Sequence, residues 1–128
     1  MGLLIYTESG YMSATCTSTD TDLLPPDLNI TYPMLEGQSD EDWARAGRHT
    51  LSYAGPWSLG EVVPGVPATK RSGQIIHGPL TAANIPSWIG QEKIRNYTVF
   101  DSEEELLLRF LVQDEGGAGT QLWWRRLE

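Results

Sequence analysis

The chain has 128 residues, enough for one domain with a hydrophobic core of its own. Its 40% hydrophobic and 20% charged residues are typical of a globular protein and exclude disorder as its general state. Seventeen acidic against nine basic side chains give a net charge of −8, which disfavours nucleic acid and anionic membrane surfaces as partners. We therefore expect a single domain, residues 1–128, that binds neither.

The sequence lacks the residue patterns of several other classes of site. Cys16 is the sole cysteine, so no internal disulfide can form, and its spacing from the two histidines does not suit a metal site. No glycine-rich phosphate-binding motif is present. No apolar run reaches membrane-spanning length, and no basic region precedes the first apolar residues as in a secretory signal. We expect a cytoplasmic protein without metal or cofactor.

The first predicted elements are two strands. Residues 3–7 are apolar and rich in strand formers, residues 8–10 have turn chemistry, and residues 11–18 alternate large and small side chains. This pattern predicts a β-hairpin. Residues 19–38 contain three prolines and are predicted to form a loop.

One helix is predicted to begin after Ser39. Its hydroxyl can cap the first turn, and the acidic residues 40–42 would lie at the positive end of the helix dipole. Side chains spaced three and four apart form a stripe that would pack on a larger body: Trp43, Ala46, Gly47, Thr50 and Ala54. We expect Gly55-Pro56 to end this helix.

The rest of the chain is predicted to consist of strands joined by short connections. The predicted strands are residues 57–63, 73–82, 91–100, 104–113 and 119–127. Gly78-Pro79 should break or bulge the second of them, and a turn over residues 84–90 carries Trp88. Residues 64–72 are predicted to form an exposed loop before the next strand. Successive strands with short turns favour a meander that closes into an antiparallel barrel.

Several motifs resemble the lipocalin-like domain family of bacterial and fungal proteins. Residues 4–14, Leu-Ile-Tyr-Thr-Glu-Ser-Gly-Tyr-Met-Ser-Ala, resemble its signature hairpin. Further matches follow in the same order and cover nearly the whole chain: Tyr53-Ala54-Gly55, Pro86-Ser87-Trp88-Ile89-Gly90 with Arg95 and Tyr97, and Leu122-Trp123-Trp124-Arg125-Arg126. The resemblance implies an all-β, antiparallel lipocalin-like (calycin-type) β-barrel with one α-helix and an internal cavity.

The chain departs from this family at one point. The family's usual first strand, with a Gly-x-Trp motif, has no counterpart before the hairpin, although Arg126 matches the arginine that packs across that tryptophan in the broader lipocalin pattern. Three explanations are open: a truncated chain, a barrel of fewer strands, or a gap that a second subunit fills. Open strand edges and an exposed apolar seam promote association, so we expect a homodimer.

His77 is the first candidate catalytic residue. It lies in a predicted strand beside Gly78-Pro79, and the family pattern often has a histidine near this point. An imidazole that faces a dry cavity could move a proton at neutral pH. The alternative is a histidine that has hydrogen-bond partners within the core, or one that faces outward.

Arg95 is the second candidate catalytic residue. It shares a strand face with Tyr97, because side chains of a strand repeat every two residues. If that face is inward, its guanidinium could stabilise negative charge on a substrate oxygen. The alternative is a structural ion pair with Glu92 or Glu104.

The candidate ligand-binding residues are aromatic or small polar side chains on predicted strands and turns. They are Tyr6, Tyr11, Ser13, Tyr53, Trp88, Tyr97 and Trp124. Plain core packing is the alternative for each aromatic residue. The expected partner is a small apolar or aromatic molecule.

Three functions remain open. The first hypothesis is a cofactor-independent cyclase or isomerase of a polyketide-like, natural-product intermediate, as the resemblance implies. The second is a non-catalytic carrier of a small apolar metabolite. The third is a subunit whose barrel is completed by a partner.

Overall fold

The computed structural model describes residues 1–61, 67–113 and 119–127. These residues form strands with one α-helix and one 3₁₀ turn at Pro86–Trp88. In chain order the elements are β1 (Gly2–Tyr6), β2 (Tyr11–Thr17), α1 (Asp40–Arg48), β3 (Thr50–Gly60), β4 (Ser72–His77), β5 (Ala82–Ala83), β6 (Lys93–Asp101), β7 (Leu106–Gln113) and β8 (Gly119–Arg125). Two predicted segments lie outside the described residues: the turn over residues 114–118 and part of the exposed loop, residues 64–66.

The strands form one curled antiparallel sheet in the order β1-β2-β3-β4-β6-β7-β8, and β5 pairs with β3. The long strand β3 joins two halves of the sheet, because residues 50–56 pair with β2 and residues 57–60 pair with β4. This architecture is an all-β, nearly closed barrel with one helix, which confirms the predicted fold class.

The two end strands of the sheet, β1 and β8, run in the same direction. Six antiparallel pairings separate them along the sheet, and an even number of reversals restores the original direction. Among the described residues no backbone pairing joins β1 to β8. The barrel therefore has one opening along its wall.

The predicted hairpin is confirmed by the pairing of β1 with β2, in which Leu4 lies opposite Ala14 and Tyr6 opposite Met12. Met12 and Ala14 are buried, whereas Tyr11, Ser13 and Thr15, which alternate with them, are exposed. The period of two along β2 therefore separates an inward face from an outward one.

The predicted helix is correct at its start and wrong at its end. The Ser39 side chain accepts a hydrogen bond from the backbone N–H of Asp42, as expected of an N-cap. However, α1 ends at Arg48, and Thr50 and Ala54 lie in β3, where they pair with β2. The helical spacing of these residues was overridden by a complete ladder of backbone hydrogen bonds to β2, which the sequence pattern does not show.

The predicted break at Gly78-Pro79 is confirmed, and it divides the predicted strand 73–82 into β4 and β5. Gly78 has a φ of +132°, and a Cβ at this position would collide with the carbonyl oxygen of Gln91. Its N–H donates to the carbonyl oxygen of Pro56 at 2.8 Å, which is where β3 passes from one half of the sheet to the other. After the break the chain passes from the half of β3 that pairs with β4 to the half that pairs with β5.

The core consists of two hydrophobic clusters, one for each half of the sheet. Met12, Ala14, Tyr53 and Leu80 form the first cluster, and Ile75, Tyr97 and Phe110 form the second. Residues that pack against both clusters connect them: Leu4, Tyr6 and Trp57. The described part of the chain contains no helix long and apolar enough to cross a membrane.

Candidate functional site

His77, the last residue of β4, is the centre of a buried polar group. It is 0% exposed, and each of its ring nitrogens faces a tyrosine hydroxyl. The hydroxyl oxygen of Tyr6 lies 2.6 Å from Nε2, and that of Tyr53 lies 3.3 Å from Nδ1. Because a neutral imidazole has one N–H and one acceptor nitrogen, one tyrosine donates to the ring while the other accepts from it.

Aromatic rings surround this Tyr6–His77–Tyr53 chain of hydrogen bonds. The ring of Tyr6 lies 5.3 Å from that of Trp57, the ring of Tyr53 lies 5.6 Å from that of Trp88, and Phe110 lies 5.9 Å from the imidazole, all as centroid distances. All three contacts have edge-to-face geometry, which aromatic pairs prefer. These rings exclude water from the hydrogen bonds.

Burial determines the protonation states of these groups. Desolvation, together with the positive charge of Arg95, lowers the pKa of His77 from its ordinary 6.5 to about 4. Desolvation also raises the pKa of Tyr6 and of Tyr53 above the ordinary value for a phenol. At neutral pH the three groups are therefore uncharged, and a proton can pass along them only through their shared hydrogen bonds.

Arg95 lies on β6 and shares its strand face with the buried Tyr97. It is half-buried, and its positive charge acts on Tyr6, Tyr53 and His77. Its Nη1 donates to the carbonyl oxygen of Ile94 at 3.2 Å. Within the described residues, Arg95 forms no ion pair with a carboxylate. The alternative of a structural ion pair with Glu92 or Glu104 is thus not found.

The structure places the remaining candidate residues in different surroundings. Trp88 packs on Tyr53 and has the Lys93 ammonium 4.0 Å from its ring centroid. Tyr97 is buried, but its hydroxyl donates to the carbonyl oxygen of Thr69 at 2.6 Å and so is held by the loop before β4.

Tyr11 and Ser13 are not brought to the buried group. Both lie on the outward face of β2, opposite to Met12 and Ala14, and Tyr11 is 60% exposed. Because side chains alternate along a strand, one position in the sequence separates these outward residues from the inward Met12 and Ala14. A ligand inside the barrel would not meet either side chain.

A cleft of about 1230 Å³ lies along the opening between β1 and β8, and we call it the β1/β8 cleft. Residues 1–6 line one side and residues 122–127 the other, with residues 16–18, 48–51, 106 and 108 completing its surface. This volume is somewhat larger than the range of about 300–1,000 Å³ that is typical of small-molecule sites, so a small molecule would fit. Tyr6 and Trp124, both predicted as ligand-binding residues, line this cleft.

Tyr6 connects the β1/β8 cleft to the buried group, since it lines the cleft and its hydroxyl contacts His77. Apolar walls that sequence reasoning missed include Leu4, Leu51 and Leu108. Two of them could have been found by alternation, because Leu4 lies two residues before Tyr6 and Leu108 two before Phe110. The indole N–H of Trp124 is buried and has no hydrogen-bond partner among the described residues.

Metal ligands do not cluster in the part of the chain that the structure describes: no three His, Cys, Asp or Glu side chains come together there. The chemistry available at the site is thus that of two phenols, an imidazole, a guanidinium and apolar walls.

A family model described as a lipocalin-like domain matches residues 1–127. Searches of curated proteins and of solved structures gave no match. A lipocalin-like barrel indicates the binding of a small molecule. The match spans almost the entire chain and agrees with the antiparallel barrel described above, so this protein belongs to the lipocalin-like domain family.

Proposed function

We propose that the protein binds a small, largely apolar molecule in the β1/β8 cleft and catalyses its cyclisation or isomerisation without a cofactor. One observation carries the proposal: Tyr6 lines the cleft and its hydroxyl also lies 2.6 Å from Nε2 of the buried His77. A ligand in the cleft would thereby contact the end of a hydrogen-bond chain that leads into the core.

The proton relay follows from the hydrogen-bond chain. The hydroxyl of Tyr6 gives its proton to a ligand oxygen or carbon as Nε2–H of His77 gives a proton to the Tyr6 oxygen, and Nδ1 takes one from Tyr53. The ligand then carries a positive charge and the oxygen of Tyr53 a negative one, which the positive charge of Arg95 stabilises. Reversal of the relay takes a proton from a second position of the ligand, so an isomerisation leaves the protein unchanged.

The walls of the cleft supply orientation. Leu4, Leu51 and Leu108 are half-buried, and the barrel holds them in place through its two core clusters. A flexible ligand held against such walls loses conformational freedom before the reaction, which contributes to the rate of a ring closure. Arg95 would stabilise the phenolate that the relay leaves on Tyr53.

A carrier without chemistry is the second candidate function. The observation that favours it is the complete burial of His77 with both ring nitrogens hydrogen-bonded, an arrangement that also satisfies a histidine in a core. This candidate predicts saturable binding and a ligand that is recovered unchanged.

A barrel completed by a second copy is the third candidate. Because β1 and β8 run in the same direction, one strand inserted between them would be antiparallel to both and would satisfy both edges. Mass measurement by light scattering across a concentration series tests this candidate. A strict monomer at all concentrations removes it.

An exchange assay tests the catalytic proposal without knowledge of the natural substrate. The protein is incubated with 1-tetralone in D₂O, and deuterium incorporation next to the carbonyl is followed by mass spectrometry. We expect faster exchange than in buffer, and a loss of about 100-fold in Tyr6→Phe, because proton transfer by a positioned side chain contributes at least that much. Tyr11→Phe, on the outward face of β2, is the matched control.

Two outcomes would count against the proposal. Equal exchange rates for the wild-type protein, a folded Tyr6→Phe variant and buffer would remove the acid–base chemistry. If 1-tetralone also fails to change the intrinsic tryptophan fluorescence of the protein, the hypothesis that this class of ligand binds in the cleft is rejected.

A further inference from the structure

The charges around the β1/β8 cleft differ from those of the protein as a whole. The chain has a net charge of −8, yet Arg48, Arg125 and Arg126 line the cleft. None of the acidic side chains that the structure describes is among the lining residues. One third of the basic residues thus surrounds this opening, whereas carboxylates are kept out of its described lining.

The interior of the barrel next to the cleft also contains a positive charge and a hydrogen-bond donor that is unpaired among the residues the structure describes. Arg95 acts on Tyr6 through its positive charge and, within the described chain, has no carboxylate partner. The Trp124 indole N–H, in the wall of the cleft, also lacks an acceptor there. Hydrogen-bond donors and cations therefore accompany the apolar walls, and an anionic group of a ligand would complement them.

The state of two rim arginines makes them available to a ligand. Arg48 contacts Glu41 at 2.7 Å, but the two side chains are 54% and 70% exposed, and an exposed ion pair of this kind is weak and can exchange partners. Arg125 forms no ion pair with a described carboxylate.

We infer that the ligand of the β1/β8 cleft is an amphiphilic carboxylate, in which an apolar chain or ring system contacts the leucine walls and the carboxylate pairs with the rim arginines. This inference rests on the proposed binding function and specifies its substrate class. A guanidinium and a carboxylate form paired, charge-assisted hydrogen bonds, which a neutral alcohol of the same length does not.

Isothermal titration calorimetry with three probes of equal chain length tests the inference. The probes are decanoate, decan-1-ol and decyltrimethylammonium, which share the apolar chain and differ in head-group charge. We expect decanoate to bind about tenfold more tightly than decan-1-ol and the cation to bind most weakly. Raising the ionic strength to about 1 M should reduce this preference, since screening then extends over about 3 Å.

Variants identify the groups responsible. Arg125→Gln should weaken decanoate binding several-fold, and the double variant Arg48→Gln/Arg125→Gln should bring it to the affinity of decan-1-ol. The affinity for decan-1-ol should not change in either variant. Lys70→Gln removes the same charge outside the cleft lining and should leave decanoate binding unchanged.

The possible results separate the inference from the proposed function. If none of the three probes binds, the proposed small-molecule site fails. If decan-1-ol or the cation binds as tightly as decanoate, or if the double variant keeps wild-type affinity for decanoate, the site remains but the anionic substrate class is overturned.

Discussion

The hydroxyl oxygen of Tyr6 and Nε2 of His77 lie 2.6 Å apart, although 71 positions separate the two residues in the chain. The contact joins β1, at one edge of the sheet, to β4 in its middle, across the interior of the barrel. It links the open cleft to the buried polar group, and both the proposed chemistry and the pH dependence of stability follow from it.

Burial of His77 predicts a specific pH dependence of stability. In the unfolded chain the histidine takes up a proton near its ordinary pKa of 6.5, whereas the folded protein resists protonation down to about 4. The unfolded state therefore binds more protons between these values, so this contribution is complete above pH 6.5 and is lost as the pH falls toward 4. The loss should reach about 3 kcal/mol, as measured by urea unfolding at a series of pH values.

His77→Gln tests this pH dependence, because glutamine does not titrate. The free energy of unfolding is plotted against pH for both proteins. The difference between their slopes from pH 6.5 to 4 gives the contribution of His77, because the carboxylates are the same in both. An unchanged slope in a folded His77→Gln protein would contradict the burial of a neutral imidazole.

The Tyr6–His77 hydrogen bond should contribute to stability as well as to chemistry. Tyr6→Phe leaves Nε2 of His77 without its partner in a desolvated site, and we expect the free energy of unfolding to fall by about 1–3 kcal/mol. Tyr11→Phe removes a hydroxyl from the exposed face of β2 and should be nearly neutral. Thermal unfolding by circular dichroism gives both values, and equal stabilities for the two variants would refute the hydrogen bond.

Gly73 in β4 permits a close approach of the preceding loop. A Cβ at this position would lie 2.7 Å from Cβ of Ala68 and 2.8 Å from the Tyr97 hydroxyl oxygen, which holds the loop through Thr69. Gly73→Ala should therefore destabilise the protein by about 1–3 kcal/mol. The measurement is chemical unfolding.

Gly47→Ala is the matched control for Gly73→Ala. Its Cβ would meet nothing within 4 Å, and it lies inside α1, where alanine stabilises a helix by about 0.5–1 kcal/mol relative to glycine. The two substitutions should thus have opposite signs. The same sign for both would show that the loop does not pack on Gly73 in solution.

Neighbouring residues of β7 should differ sharply in their contribution to stability. Phe110 is 2% exposed and packs against the imidazole of His77, whereas Leu111 is 41% exposed on the opposite face. Phe110→Ala should cost about 3–5 kcal/mol, and Leu111→Ala less than about 1 kcal/mol. Comparable losses in urea unfolding would mean that the alternation of β7 is assigned to the wrong faces.

Local patterns in the sequence were sufficient where one element's own residues decide its structure. The strand pattern of residues 3–18 located the first hairpin, and Ser39 with the acidic residues after it located the start of α1. The same local reasoning failed for residues 49–54, because a helical spacing and a strand pairing competed there. The pairing partner, β2, is more than thirty residues away.

The site itself combines both kinds of information. Residue type and strand period were enough to name His77, Arg95, Tyr6 and Tyr53 as candidates, since the apolar strands contain few titratable residues. The hydrogen-bond chain of Tyr6, His77 and Tyr53, and the cationic cleft between β1 and β8, became visible only in the folded molecule. Side-chain direction is a local property of a strand, whereas the distance between strands depends on how the whole sheet pairs and curls.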